Sequence, residues 1–165
     1  LKAFNEYTDK NQNSYILLVG SPLFDNDKYL KHLMKLIENY GLGKRVIMPG
    51  YRSDLKEIFS AMDLFIYPSL EKDTSPLALL SAISSGLPVA VSNIKSLREI
   101  TDLCPVVDAF DPDDRKNLIS LMEKYEDESI RDMIGRKNRE SGEAYFDIST
   151  HSEKMMNIFY RIVSG

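Results

Sequence analysis

Residues 63–91 read DLFIYPSLEKDTSPLALLSAISSGLPVAV. The run Leu64–Tyr67 is aromatic and β-branched and stops at Pro68, and Pro88–Val91 is a second apolar run. Between the two runs, apolar residues recur at helical spacing, so the stretch predicts two buried parallel strands joined by a crossover helix. The loop 70–75 then lies at the carboxyl end of a strand, which is where open α/β sheets bind ligands.

The start of the crossover helix is marked by Ser75, a good N-cap residue, and by Pro76, which suits the first helical position. Gly86 marks its end. The N–H groups of Leu77 and Ala78 are then expected to face the loop together with the positive end of the helix dipole, which favours a phosphate by about 0.3–1 kcal/mol. Because every βαβ unit has this geometry, a purely structural role stays open.

Composition excludes several classes of protein. The chain has 165 residues, 43% of them hydrophobic and 28% charged, which is typical of one globular domain that buries roughly 70% of its unfolded surface. The net charge of −4, without a stripe of Lys or Arg, argues against a nucleic-acid binder. Cys104 is the single cysteine, and His32 and His151 are the two histidines, so neither a disulfide nor a metal site is expected.

The rest of the chain continues the alternation of strand and helix. Buried strands are predicted at 15–20, at 45–48 with Pro49 and Gly50 closing the strand, and at 105–107. A helix from about 25 or 27 to 40 is expected to place Tyr29, Leu30, Leu33, Met34, Ile37 and Tyr40 on one face. Asp111–Asp114 is expected to cap a further helix, with Pro112 at its first position. The fold class is therefore α/β, a doubly wound parallel sheet with a helical tail over 111–165.

The chain begins abruptly at Leu1, in what resembles the last turns of a helix without a capping residue. We therefore expect residues 1–165 to be a fragment, a single domain that lacks its first strand. No apolar run approaches the roughly 20 residues of a membrane span, and the start is no signal peptide. A cytoplasmic location is expected, and peripheral contact with the inner face of the membrane stays open.

Five segments in this order resemble one family. They are the strand ending in Gly20, RVIMPGY at 45–51, DLKEIFSAMDLFIYPS at 54–69, DTSPLALLSAISSGLPVAVSN at 73–93 and VVDAFDPDD at 106–114. Together they resemble the carboxyl-terminal domain of GT-B fold glycosyltransferases, most closely the retaining enzymes of family 4, the group 1 transferases. The resemblance implies binding of a nucleotide-diphosphate sugar, of UDP or GDP type, without a cofactor or a metal. It places the acceptor, a glycan, a lipid or another molecule, on an amino-terminal domain, which we expect residues 1–165 to lack.

The family's signature is a pair of glutamates separated by seven residues, and by position they fall on Asp73 and Ser81. The resemblance implies that Asp73 faces the donor sugar and stabilises positive charge in the transition state, with Glu71 as an alternative. Ser81 falls where the second glutamate accepts hydrogen bonds from the ribose. Losing that charge-assisted bond costs about 1.5–3 kcal/mol, or roughly 10- to 100-fold in affinity.

The other positions come from the same resemblance. The backbone N–H groups of Thr74, Ser75, Leu77 and Ala78 match the segment that holds the diphosphate. Gly20 matches a glycine beside which the donor passes. The turn containing Gly50, Tyr51 and Arg52 matches the region that contacts the nucleobase, and an ordinary strand-end turn explains it equally well.

The sequence thus predicts the donor-binding half of a retaining glycosyltransferase that serves polysaccharide or glycolipid synthesis and is inactive by itself. Two alternatives stay open: a catalytically degenerate GT-B module that binds a partner, and a nucleotide-sugar epimerase of the same fold.

Overall fold

The computed structural model describes residues 1–22, 27–70 and 76–163. The chain forms two compact units, residues 1–55 and 56–165. Each unit is built around its own parallel sheet.

The first unit consists of α1 (Lys2–Thr8), β1 (Ile16–Val19), α2 (Asp27–Asn39) and β2 (Val46–Gly50). β1 and β2 pair in parallel, with Ile16 opposite Val46. The expectation that Pro49 closes the second strand is wrong, because β2 continues through it. A proline is tolerated there because, among the described strands, β2 pairs with β1 alone, so β2 is an edge strand of this two-stranded sheet.

The predicted face of α2 is partly wrong. Leu30, Leu33 and Ile37 are half-buried, as expected, whereas Tyr29 and Met34 are 67% and 58% exposed. The half-buried face of α2 is therefore narrower than the sequence pattern predicts.

The second unit carries the stretch that decides the fold. Its elements are α3 (Leu55–Ser60), β3 (Phe65–Tyr67), α4 (Leu77–Ser84), β4 (Val89–Ser92), a 3-10 turn at Lys95–Leu97, α5 (Arg98–Leu103), β5 (Asp108–Phe110), α6 (Arg115–Lys124), α7 (Glu128–Tyr145) and α8 (Ile148–Val163). The sheet has the order β3-β4-β5 with every pairing parallel. The predicted α/β class, with parallel strands, crossover helices and a helical carboxyl-terminal stretch, is confirmed.

The last strand lies three residues later than the sequence predicts. The chain turns after Cys104, where the N–H of Val107 donates to the Cys104 carbonyl at 3.0 Å. The apolar residues at 105–107 therefore form a turn and not the strand, and pairing begins with Asp108 opposite Ala90.

The start of α6 also differs from the prediction. Asp114 is the N-cap, and its carboxylate accepts a hydrogen bond from the Asn117 N–H at 3.1 Å. The Asp111 carboxylate instead accepts from the Asp113 N–H at 2.9 Å. Pro112 therefore lies in a turn before the helix and not at its first position.

The core of the second unit packs α4 against β4. Leu79 and Ile83 of α4 and Val89 and Val91 of β4 have no exposed surface. They share one apolar cluster with Ala82 of α4 and with residues from the rest of the unit: Phe59, Leu87, Leu97, Cys104 and Val107. Burying each large side chain stabilises the unit by about 1.5–3 kcal/mol, so this cluster holds α4 on the sheet.

α7 approaches the carboxyl-terminal end of α4 through a seam of three residues, Gly135, Asn138 and Gly142. A Cβ at Gly142 would lie 2.7 Å from the Cα of Ser84, and one at Gly135 would lie 2.3 Å from the carbonyl oxygen of Gly86. The fully buried Asn138 donates from Nδ2 to the Leu87 carbonyl at 2.7 Å. The two helices can approach this closely only because glycine has no side chain.

The end of α4 is closed by backbone and side-chain bonds together. The N–H of Leu87 donates to the Ala82 carbonyl, and the N–H of Gly86 donates to the Ile83 carbonyl. Gly86 has φ +77°, the left-handed conformation that this kind of helix ending requires. Arg139 of α7 also donates to the Ser84 carbonyl at 3.0 Å, so α7 supplies part of the cap.

α8 is an exposed helix with apolar side chains. Apart from the half-buried Thr150, all of its residues are exposed, and apolar side chains such as Phe159 and Ile162 are 54% and 71% exposed. Among the described helices, none combines the length and the apolar character that crossing a membrane requires.

A charged cluster joins the first residue of β5 to the end of α6. The Asp108 carboxylate accepts a hydrogen bond from Lys124 Nζ at 2.6 Å and another from the hydroxyl of Tyr125. Tyr125 is 3% exposed, and burial, with Asp108 beside the hydroxyl, raises its pKa far above the ordinary value. The cluster thus pins α6 to the sheet.

Replacing Gly142 with alanine is expected to lower the free energy of unfolding by about 1–3 kcal/mol, because the new methyl group overpacks the seam against Ser84. Gly43→Ala is the matched control, since a Cβ at Gly43 meets no atom of the described chain within 4 Å. Urea unfolding followed by circular dichroism measures both. Equal stability of the two variants would show that the seam does not constrain the packing.

The raised pKa of Tyr125 predicts a loss of stability at high pH. The unfolded chain releases this proton near pH 10, whereas the folded state retains it, so stability falls as pH rises above about 10. Tyr125→Phe removes this contribution, and Tyr160→Phe, at an exposed tyrosine, is the control. We expect the stability difference between the native chain and Tyr125→Phe to shrink between pH 9 and 11 in urea titrations. A constant difference would contradict the assignment.

Candidate functional site

The candidate site is the amino end of α4 together with the carboxyl edge of the β3-β4-β5 sheet. Four of the predicted site residues, Glu71, Asp73, Thr74 and Ser75, lie outside the described residues. Leu77, Ala78 and Ser81 are described, and they all lie on α4.

α4 starts one residue later than predicted. Pro76 has φ −78° and ψ 63°, so it is the N-cap residue and not the first helical residue. Its carbonyl accepts the first helical hydrogen bond, from the Leu80 N–H at 3.1 Å. Proline still suits this place, because its ring fixes φ and the N-cap N–H takes no part in the helix.

α4 has one buried face and one open face. Leu79, Ala82 and Ile83 have no exposed surface. Leu77 is 68% exposed, Ala78 is exposed and Ser81 is half-buried. Because Leu77, Ala78 and Ser81 are spaced by one and three residues, the structure brings these three predicted residues together on the open face.

The amino end of α4 is electrostatically simple. The helix contains no ionisable side chain, and its first turn has no acidic residue. The helix itself uses none of the N–H groups of its first residues, Leu77 to Leu79, and its dipole places partial positive charge there. An anion is the ligand that such an end favours, and no side-chain charge on α4 opposes it.

The carboxyl ends of the three strands meet beside one another. Tyr67 pairs with Val91, and Ser92 pairs with Phe110. The Asn93 N–H donates to the Phe110 carbonyl at 2.7 Å, which extends the pairing of β4 with β5 by one bond. The chain then turns, with the Ile94 N–H donating to the Ser92 carbonyl at 2.8 Å. This edge is the position at which a parallel sheet presents its loops to ligands.

Ser92 is a polar residue at this edge that the sequence analysis did not select. Its side chain has no exposed surface, and its hydroxyl has no hydrogen-bond partner among the described residues. In sequence it reads only as the residue that ends a strand, so no pattern distinguishes it.

The first unit holds the remaining predicted residues. Gly20 follows β1 with φ +139°, and its N–H donates to the carbonyl of Gly50 at 2.9 Å. No atom of the described residues lies within 4 Å of the place where a Cβ on Gly20 would stand. Gly20 is therefore required for its backbone conformation and not for close packing against the described residues.

Tyr51 and Arg52 follow β2, and their side chains differ in exposure and in hydrogen bonding. The Tyr51 side chain is 76% exposed. Arg52 is held by Asp54, with Nε donating to Oδ1 at 2.7 Å and a second bond joining Nη2 to Oδ2. The hydrogen bonds from Arg52 hold the pKa of Asp54 below its ordinary value. Of the two residues predicted to stack on a base, Tyr51 has the more open side chain.

A groove of about 480 Å³ lies at the opposite edge of the second unit's sheet. Asp63, Pro88 and Arg131 are among the residues that line it, and α7 forms one wall. Arg131 there donates to the carbonyls of Tyr125 and Glu126, so it supports the fold. Because Asp63 precedes β3 and Pro88 precedes β4, the groove lies at the amino ends of the strands, away from the candidate site.

Metal ligands do not gather anywhere in the part of the chain that the structure describes. Over residues 1–22, 27–70 and 76–163, no three His, Cys, Asp or Glu side chains are grouped as a metal site requires. Cys104 is fully buried in the core, where burial raises the pKa of its thiol.

Comparison with known sequences gives one family and one curated relative. The family model described as glycosyl transferases group 1 matches residues 1–141. The chain is 30% identical over 156 residues to the UDP-Gal:alpha-D-GlcNAc-diphosphoundecaprenol alpha-1,3-galactosyltransferase of Escherichia coli. This match covers 92% of the chain and 38% of the relative, so the chain spans well under half of that protein.

Solved structures share the fold. The crystal structure of Anabaena HepE in complex with UDP and glucose superposes with a TM-score of 0.87 at 20% identity, over 96% of this chain and 43% of that one. The crystal structure of the C-terminal domain of LpcC, a glycosyl transferase group 1 family protein from Francisella tularensis, superposes with a TM-score of 0.74 at 20% identity. It covers 89% of this chain and 77% of that one.

Proposed function

The chain belongs to the glycosyl transferases group 1 family, and from this premise we propose that it is the donor-binding half of a retaining glycosyltransferase. The proposed reaction transfers a sugar from a nucleotide-diphosphate sugar to an acceptor bound by another part of a longer protein. We expect the 165-residue chain alone to bind the donor without transferring the sugar.

One observation carries the proposal: within the stretch that matches the family, α4 has an open face and an uncharged amino end at the carboxyl edge of a parallel sheet. The diphosphate is proposed to accept hydrogen bonds from the N–H groups of Leu77 and Ala78. Thr74 and Ser75, which precede the helix in sequence, are proposed to add two further N–H donors.

The proposed catalytic group is Asp73, with Glu71 as the alternative. Either carboxylate belongs to the short segment that joins β3 to α4 in sequence. A carboxylate beside the donor sugar would accept hydrogen bonds from its hydroxyls and stabilise the positive charge that develops as the bond to the diphosphate breaks. Such stabilisation acts mainly in the transition state, so losing it should lower kcat more than donor affinity.

Ser81 is proposed to lie beside the ribose, because it is the polar side chain one turn further along the open face of α4. We also propose, from the family resemblance, that the donor passes beside Gly20 and that the turn of Gly50, Tyr51 and Arg52 contacts the nucleobase. For the base contact, the exposed ring of Tyr51 is the stronger candidate, since Asp54 holds Arg52.

The proposed donor is a UDP-sugar. Support comes from the E. coli relative, whose name includes UDP-Gal, and from HepE, whose structure contains UDP. The same relative acts on a diphosphoundecaprenol acceptor, so we propose a lipid-linked glycan as the acceptor class. An acceptor of that kind lies in a membrane. We therefore propose that the longer protein transfers the sugar at the cytoplasmic surface of the membrane.

Isothermal titration calorimetry of the chain with UDP, GDP and ADP tests the proposal. We expect UDP to bind at least tenfold more tightly than GDP or ADP. Binding of none of the three, by a chain whose circular dichroism shows a folded protein, would contradict a donor site on this domain.

Ala78→Asp is the sharpest variant for this site. The new carboxylate lies in the first turn of α4, where it favours the helix dipole, so we expect unchanged or slightly higher stability. The same charge repels a diphosphate at that end, by about 1.4 kcal/mol or more, which is tenfold in affinity.

Ser85→Asp is the matched control, because it places the same charge on an exposed residue at the other end of the helix. UDP affinity measured by calorimetry should fall for Ala78→Asp and hold for Ser85→Asp. Equal affinities of the two variants would contradict the phosphate position.

A catalytically degenerate binding module is the second candidate, and the absence of any carboxylate on α4 favours it. Transfer of radiolabelled sugar by the longer natural protein distinguishes the two. We expect turnover by that protein and a loss of at least 100-fold in kcat for its variant Asp73→Ala. Tight UDP binding without turnover would support the degenerate module.

A further inference from the structure

The open face of α4 offers a single side chain that can hydrogen-bond next to a bound diphosphate. Leu77 and Ala78 are apolar, and Ser81 follows one turn later. The other hydroxyls of this region, Ser84 and Ser85, lie at the far end, where α7 approaches. The next polar feature of a nucleotide after its phosphates is the pair of ribose hydroxyls, and Ser81 is the side chain of α4 proposed to lie beside them.

The chemistry of Ser81 makes this contact weak. Ser81 is half-buried, its hydroxyl is uncharged, and the hydroxyl makes no hydrogen bond to the described residues. When a ligand lacks the matching group, water replaces that group, and no charge or fully buried polar atom remains unpaired. Strong rejection of an analogue lacking a hydroxyl requires a buried or charged partner that would be left unpaired, and α4 supplies neither.

We propose that this site accepts 2′-deoxyribonucleoside diphosphates nearly as well as ribonucleoside diphosphates. This inference rests on the proposed function, since it assumes that the diphosphate lies at the amino end of α4. It adds the substrate class: donors built on deoxynucleotides, such as dTDP-sugars, enter this site together with UDP-sugars. The specificity then comes from the base and the sugar and not from the ribose.

The size of the effect follows from the type of bond. A carboxylate that accepts both ribose hydroxyls discriminates against the deoxy analogue by about 10- to 100-fold, because the bond is charge-assisted. A half-exposed serine that exchanges freely with water discriminates by about threefold or less. The two cases are well separated in a binding measurement.

The test compares UDP with dUDP by calorimetry on the native chain, on Ser81→Ala and on Ser81→Glu. For the native chain and Ser81→Ala we expect dissociation constants for the two nucleotides within about threefold of each other. For Ser81→Glu we expect tighter UDP binding and a preference for UDP over dUDP of about tenfold or more. Circular dichroism and urea unfolding confirm that each variant keeps the fold.

Each outcome is decisive. A preference for UDP of tenfold or more by the native chain would overturn the inference while leaving the proposed function intact. An unchanged ratio in Ser81→Glu would show that residue 81 is not beside the ribose, which also overturns it. Failure of both nucleotides to bind any of the three folded chains would overturn the proposed function, and the inference with it.

Discussion

The contact on which the second unit most depends is the close approach of α7 to the carboxyl-terminal end of α4. Gly135 and Gly142 leave no room for a side chain, and between them Asn138 bonds to the backbone at Leu87. The packing is intolerant of added volume, so it fixes α4 along its axis as well as against the sheet. An eight-residue helix could not hold a defined position by helix propensity alone.

Fixing α4 at its carboxyl-terminal end leaves its amino-terminal end free for a ligand. One face of α4 is buried against β4, α7 covers its far end, and the open face carries Leu77, Ala78 and Ser81. The charged groups with partners, such as Asp108 with Lys124 and Tyr125, lie at the amino edge of the sheet. The proposed ligand site thus lies at the opposite edge of the sheet, the carboxyl edge, where parallel α/β folds usually bind their ligands.

Much of this architecture follows from the sequence. Apolar runs and helical spacing predicted the βαβ unit and the fold class, and the family resemblance is confirmed by the match over residues 1–141. The apolar pattern did not predict the position of β5, because pairing with β4 sets where this strand begins. β5 begins at Asp108, although the apolar run ends at Val107. No local pattern revealed the α7 seam, because its glycines matter only through a helix some fifty residues away. The roles of Asp73, Glu71, Thr74 and Ser75 stay predictions, since these residues lie outside the described ones.

The most direct test of the account is an NMR titration of the ¹⁵N-labelled chain with UDP, followed at backbone amides along α4 and α7. We predict that the amides of Leu77 and Ala78 show the largest shifts, while those of Gly86 and Gly135, beside the groove at the other edge, stay unchanged. Shifts at Gly86 and Gly135 without shifts at Leu77 and Ala78 would place the nucleotide at the wrong edge of the sheet and contradict the central claim.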